Sequence, residues 1–171
     1  LSSVGLAPQP LWRNEIAIAC SWIESKRASR CFVGVKDEFW GLAETIFNGV
    51  RQMHDCGITH MDLNLGNVLI DPKTNSLAFI DFDFTAASWV TPEQQRICDY
   101  LILLNEFCRN RRGGKIMLAD TQRMASLLCK YALNEDRSAR LGDIFSQFAR
   151  LSQQEGLKES LKDVFSNLEM K

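Results

Sequence analysis

The 171-residue chain has almost no net charge, no paired-cysteine motif and no long apolar run. Its formal charge is −1, from 20 basic and 21 acidic side chains. No global field therefore draws it to nucleic acid or to an anionic membrane. The six cysteines, at 20, 31, 56, 98, 108 and 129, make no C-x-x-C pair. That spacing argues against a zinc site and for reduced thiols in a cytosolic protein. No apolar run approaches the roughly 20 residues of a membrane-spanning helix; YLILL, at 100–104, is among the longest. No signal peptide is read at the start. What is there is the balance of an ordinary globular protein, 46% hydrophobic and 24% charged, with length for one domain and a real core.

Along the chain, residues 1–10 read as loop and NEIAIACSWI (14–23) as one strand. ESKRASR (24–30) is a polar, basic connection. Phe39, Ala43, Ile46, Phe47, Val50 and Met53 recur at three- and four-residue steps. This predicts an amphipathic helix over about 36–56, stopped by Gly57. NVLI (67–70) and LAFI (77–80) flank the turn-forming DPKTNS (71–76), a small β-hairpin. Thr91-Pro92-Glu93-Gln94 supplies a cap, a first-turn proline and a capping-box partner. That helix is expected to reach about Arg109, with RNRRGGK (109–115) breaking it. A third helix is expected from a cap at Asp120 to Leu133. Two more are expected over 138–153 and 157–169, separated near Gly156.

The segment FIDFDFT (79–85) fits two chemistries. An apolar run ending in D-x-D-x-T is the pattern of haloacid-dehalogenase-type phosphohydrolases, whose first Asp is a nucleophile. That reading requires further strands and a later acidic pair, and nothing after Thr85 reads as a strand. The second chemistry is phosphoryl transfer. His60 and Asp62 precede the hairpin, Asn67 opens it, and Asp81 and Asp83 close it. A hairpin brings its outer ends together, so Asp62, Asn67 and Asp81 are expected to converge. One carboxylate would orient the attacking hydroxyl, while a carboxylate and an amide oxygen would hold a hard divalent cation.

HMDLNLGN (60–67) followed by IDFD (80–83) resembles the catalytic and metal loops of the protein-kinase-like superfamily, H-x-D-L-x-x-x-N then D-F-G or I-D-x-D. MHDCGITHMDLNLGNVLID (53–71) is most similar to the lipopolysaccharide kinases, in particular the 3-deoxy-D-manno-octulosonic acid (Kdo) kinase family. Asn64 stands where protein kinases usually carry Lys. The resemblance covers roughly residues 5–109. It implies an α+β, mostly α fold: the C-terminal lobe of a kinase from 26 to 171, with residues 1–25 as remnant N-lobe strand and hinge. It implies ATP and magnesium as cofactors. Asp62 would be the catalytic base, His60 a loop brace, and Asn67, Asp81 and Asp83 the metal side. Trp22, Ile23 and Glu24 would lie at the adenine-binding hinge, with Leu69 and Ile80 flanking the base. Asp99 would be the buried acid that binds the catalytic-loop backbone.

The implied activity is magnesium-dependent transfer of the ATP γ-phosphate to an acceptor hydroxyl. That acceptor is expected to be Kdo in lipopolysaccharide, met in the cytoplasm or peripherally at the inner membrane. Aminoglycoside, choline-type and protein acceptors remain alternatives. A kinase also needs a glycine-rich loop, a strand Lys and a helix Glu before the hinge. No Lys precedes Lys26, and the chain begins at Leu1 rather than Met. The expectation is a fragment, inactive alone and weak in binding ATP. A degenerate non-catalytic binding module, or a partner supplying the missing parts, stands beside it. Simpler readings attach to the other residues. Asp71 is a turn residue, His54 packs, and Gly66 serves backbone geometry. Phe82 and Phe84 are core, and the arginines of 109–115 and of SKRASR are solvated. The apolar faces of the last helices, including Leu141 and Leu168, pack on the lobe.

Overall fold

The three- and four-residue spacing of Phe39 to Met53 does produce a helix, α2 (Phe39–Asp55), and those side chains are fully buried. The computed structural model describes residues 1–71, 73–140 and 143–165. Gly57 takes φ 73° and donates its amide to the His54 carbonyl at 2.8 Å, which ends α2 where a β-carbon would strain the chain. Each large apolar side chain so buried contributes about 1.5–3 kcal/mol.

The single strand expected over 14–23 is instead a hairpin. Strands β1 (Pro10–Arg13) and β2 (Ile18–Cys20) pair antiparallel. Asn14 accounts for the difference: its Oδ1 accepts the amides of Ile16 at 3.0 Å and Ala17 at 2.8 Å, turning the chain inside the apolar run. Upstream, Leu6 is buried in the core, and its carbonyl accepts the Phe79 amide at 2.8 Å.

The polar connection at 24–30 contains β3 (Lys26–Arg27) and α1 (Ala28–Cys31). The expected hairpin is β4 (Val68–Ile70) with β5 (Leu77–Phe79), and β3 adds a third antiparallel strand in the order β3-β4-β5. Lys26 pairs with Ile70 and Arg27 with Leu69. A two-residue strand carries no period-2 pattern, so only its pairing reveals it. Asp71 does serve the turn, accepting from the Lys73 amide at 2.8 Å and the Thr74 hydroxyl at 2.9 Å. Pro72, part of that expected turn, lies outside the described residues.

The capping box is present on α3 (Pro92–Phe107): Thr91 Oγ1 accepts from the Gln94 amide, and Gln94 Oε1 accepts from the Thr91 amide. The arginine–glycine stretch does break the chain, but a short α4 (Gly114–Ala119) follows it. Asp120 caps α5 (Thr121–Tyr131), accepting the Arg123 amide at 3.1 Å. A short α6 (Asn134–Arg137), not expected from the sequence, follows α5, and the long helix expected over 138–153 is broken into α7 (Asp143–Ser146) and α8 (Ala149–Ser152). A tertiary cap starts α8 afresh: Asn105 Oδ1, from α3, accepts the amides of Arg150 at 3.0 Å and Leu151 at 3.2 Å. Gly156, the expected separator, lies inside α9 (Glu155–Lys162). Leu141, Leu168 and the end of the expected last helix lie outside the described residues.

Helix α2 packs on α3, α5 and β5, α9 covers α5, and α6 and α8 cover α3. Phe32, Phe39, Phe47 and Phe107 form an aromatic cluster, with Phe32 and Phe107 ring centroids 4.9 Å apart. The segment joining α2 to β4 is thus held between the small sheet and α3.

Candidate active site

That segment, residues 56–67, carries His60 and Asp62. It is fixed from α3 by Asp99, which is fully buried. Asp99 Oδ2 accepts the His60 amide at 3.0 Å, and Oδ1 accepts the Met61 amide at 2.7 Å. His54 Nε2 donates to Oδ2 at 2.9 Å. His54, expected only to pack, therefore supplies a polar contact as well. Its i, i+45 partner could not be read from helix periodicity. Met61 sits at φ 62°, left-handed backbone that a non-glycine residue adopts at a free-energy cost.

The His60 ring is fully buried and bridges the two loops. Its Nε2 lies 2.9 Å from the Ile80 carbonyl, which only accepts, so Nε2 carries the proton. The Asn67 carbonyl accepts the Ile80 amide at 3.0 Å. The Ile80 backbone is thus clamped from both sides, directly before Asp81.

Asp62 is half-buried, and two amides hold it. Asn64 Nδ2 lies 3.3 Å from each of its carboxylate oxygens. Asn67 Nδ2 donates to the Asp62 carbonyl at 2.9 Å and to Oδ2 at 3.1 Å. Carboxylate and carbonyl oxygens accept only, which turns the Asn67 Oδ1 the other way. Asn64 Oδ1 in turn accepts the Gly66 amide at 2.8 Å. Sequence reading singled out Asn64 as a departure from protein kinases; its bond to Asp62 is a property of the folded loop.

Asp81 is exposed at φ 70°, and its carboxylate makes no hydrogen bond among the described residues. Asp83 is likewise exposed. Among the described residues no three His, Cys, Asp or Glu side chains cluster as a metal site. The two phenylalanines of FDF are not core, contrary to expectation. Phe82 is 37% exposed, with its ring 4.5 Å from that of His60, and Phe84 is 65% exposed. Strand β5 ends at Phe79, so the alternation beyond it no longer has a sheet face to bury against.

Four of the five expected nucleotide-side residues share one cavity of about 400 Å³: Trp22, Ile23, Leu69 and Ile80. Trp22 is 91% exposed. Glu24 is not among its lining residues; it borders an adjoining hollow with Lys26, Asp71 and Lys73.

A model of the lipopolysaccharide kinase (Kdo/WaaP) family matches residues 41–127. The chain belongs to that family. The match spans α2, the loop with His60 and Asp62, the β4–β5 hairpin, the segment after it, α3, α4 and much of α5. Membership of a kinase family supports a kinase role for the chain. The hinge-side residues 22–24 lie before the matched stretch. No curated protein matches the chain. Among the described residues, no helix is long and apolar enough to cross a membrane.

Proposed function

We propose that this chain carries the catalytic half of a magnesium-dependent phosphotransferase that moves the ATP γ-phosphate to a hydroxyl of an acidic sugar of lipopolysaccharide. The observation that carries this reading is the clamp on Ile80. His60 holds its carbonyl and Asn67 its amide, while Asn67 also holds Asp62. One hydrogen-bonded unit therefore joins the proposed base to the residue before the proposed metal ligand.

The donor set suits a hard cation. Asn67 turns its amide oxygen away from Asp62, and Asp81, directly after the Ile80 amide that the Asn67 carbonyl accepts, offers an exposed carboxylate without a partner among the described residues. When bound there, magnesium would offset the charge of the nucleotide phosphates. Asp83 is a further candidate ligand. Asp62 would orient the acceptor hydroxyl and take its proton, and its two amide partners fix the carboxylate for that task. Trp22, Ile23, Leu69 and Ile80 would enclose the base, with β1 and β2 as the edge of a nucleotide-covering lobe. The 171 residues alone would hold ATP weakly, because they supply no glycine-rich loop or strand lysine to cover the phosphates.

The test is transfer of labelled γ-phosphate to Kdo-bearing acceptors by the protein as its gene encodes it. Asp62→Asn and Asp81→Asn are each expected to abolish transfer. Asn tolerates left-handed backbone at 81, so that variant removes charge while keeping the loop. Undiminished transfer in either variant would remove the mechanism. A wild type that transfers nothing to any acceptor, yet binds the sugar, would establish the non-catalytic module instead.

A further inference from the structure

Among the described residues, seven lysines and arginines are paired with acids: Arg51, Arg96, Arg109, Arg112, Lys130, Lys158 and Lys162. Lys26, Arg27 and Arg30 are exposed neighbours on one short segment, and, like several other cations, none of them makes an ion pair among the described residues. All three line the cavity that holds Trp22, Ile23, Leu69 and Ile80. Sequence reading treats them as solvated charge on a connection. In the structure Lys26 and Arg27 are strand residues, fixed by pairing to Ile70 and Leu69.

Arg27 reaches the catalytic loop. Its Nη1 lies 3.9 Å from where a β-carbon on Gly66 would stand. Gly66 stands between Asn64 and Asn67, the two residues that hold the Asp62 carboxylate. The loop itself offers a neutral amide at 64, and the guanidinium that approaches the loop at Gly66 comes from β3. A guanidinium fork suits a carboxylate or a phosphate, and neighbouring cations without a carboxylate partner favour an anion close by.

We propose that Arg27, flanked by Lys26 and Arg30, binds the anionic group of the acceptor sugar, a carboxylate or a phosphate, and so sets which hydroxyl faces Asp62. This rests on the kinase reading above, and it assigns the three cations to the acceptor rather than to the nucleotide. The placement by Gly66 favours that side, since Asn67 Oδ1 and Asp81 already provide for the nucleotide phosphates.

The experiment is calorimetric titration of the chain and its Arg27→Gln and Arg27→Lys variants. The probes are free 3-deoxy-D-manno-octulosonic acid, its neutral methyl ester, a hexose 6-phosphate, the parent hexose, and magnesium ADP. The wild type is expected to prefer a charged probe over its neutral counterpart, more so at low salt. Arg27→Gln should weaken that probe roughly tenfold and leave the neutral one unchanged, while Arg27→Lys keeps most of the preference. Preference for the acid over the ester names the carboxylate, and preference for the sugar phosphate names the phosphate. Equal binding of charged and neutral sugars by the wild type would overturn the proposal. So would a loss in Arg27→Gln confined to magnesium ADP. These readings need no turnover, so transfer that persists in Asp62→Asn would remove the kinase mechanism without altering them.

Discussion

Asp99 holds Met61 in left-handed backbone: its Oδ1 accepts the Met61 amide at 2.7 Å, where φ is 62°. Such a conformation costs about 1–2 kcal/mol in a non-glycine residue, so something must offset it. The same carboxylate accepts from the His60 amide and from His54 Nε2, all in a fully buried place. Asp99→Ala strands three donors at once. Its expected effect is a loss of about 3–5 kcal/mol in urea unfolding. Asp99→Asn, which keeps one accepting oxygen, should lose less. A loss under about 1 kcal/mol in the alanine variant would mean that the loop keeps its shape without this brace.

Gly66 bears on the site by close approach, not by backbone sign. It has no positive φ, but a β-carbon there would stand 2.8 Å from Asn64 Oδ1. The obstacle is a side-chain end, which can swing aside, so Gly66→Ala should change stability by less than about 1 kcal/mol. Swinging Asn64 aside, however, frees the Asp62 carboxylate it faces at 3.3 Å. The expected result is a drop in the transfer rate of about tenfold with KM for ATP little changed, since small misplacements of a positioned group are felt mainly in the chemical step. A rate equal to wild type would show that Asn67 alone positions Asp62.

What sequence reasoning reached depended on how a feature is encoded. The α2 face, the Thr91 box, the Asp120 cap and the hairpin are local patterns of period or spacing, and the structure reproduces them. The resemblance placed Asp99 against the catalytic loop, where its bonds to His60 and Met61 lie. What escaped is set by partners distant in sequence. Strand β3 exists through pairing with β4, and α8 starts where Asn105 caps it. The turn at Asn14 is the exception: the residue type was visible, but the apolar run around it outweighed it. Arg27 shows the same limit at the site, because nothing in SKRASR tells that its second cation reaches Gly66.

The short α6 is held by charge rather than by propensity, since four residues are too few to be helical alone. Arg96 from α3 donates to Asp136 Oδ1, from Nε at 2.8 Å and from Nη2 at 2.6 Å, and the Asp136 side chain is 1% exposed. These hydrogen bonds raise the Arg96 pKa above its ordinary value. Arg96→Ala leaves a buried carboxylate without its counter-ion and should cost about 3 kcal/mol or more by urea unfolding. Replacing both partners, Arg96→Met with Asp136→Leu, should recover much of that loss. A double variant no better than Arg96→Ala would mean that the pair does more than neutralise itself.

Cys98 and Cys108 bracket the buried face of α3, and their thiols report on its packing. Burial pushes Cys98 up to about 12, with the neighbouring Asp99 adding to the shift, and Cys108 up to about 11. The thiolate is the reactive form. At about pH 8, near the ordinary thiol value, alkylation followed by mass spectrometry should mark exposed Cys20, Cys56 and Cys129 first. Cys98 and Cys108 should react only through opening of the fold. The linkage sign follows from raised folded values. The neutral thiols contribute fully below the unfolded pKa of about 8.5. Their contribution is lost as pH rises through about 11 for Cys108 and about 12 for Cys98. Unfolding midpoints in urea should therefore fall progressively above about pH 9, and Cys98→Ala with Cys108→Ala should flatten that fall. Alkylation of Cys98 as fast as that of Cys20 would mean that α3 does not bury the face from which Asp99 holds the catalytic loop.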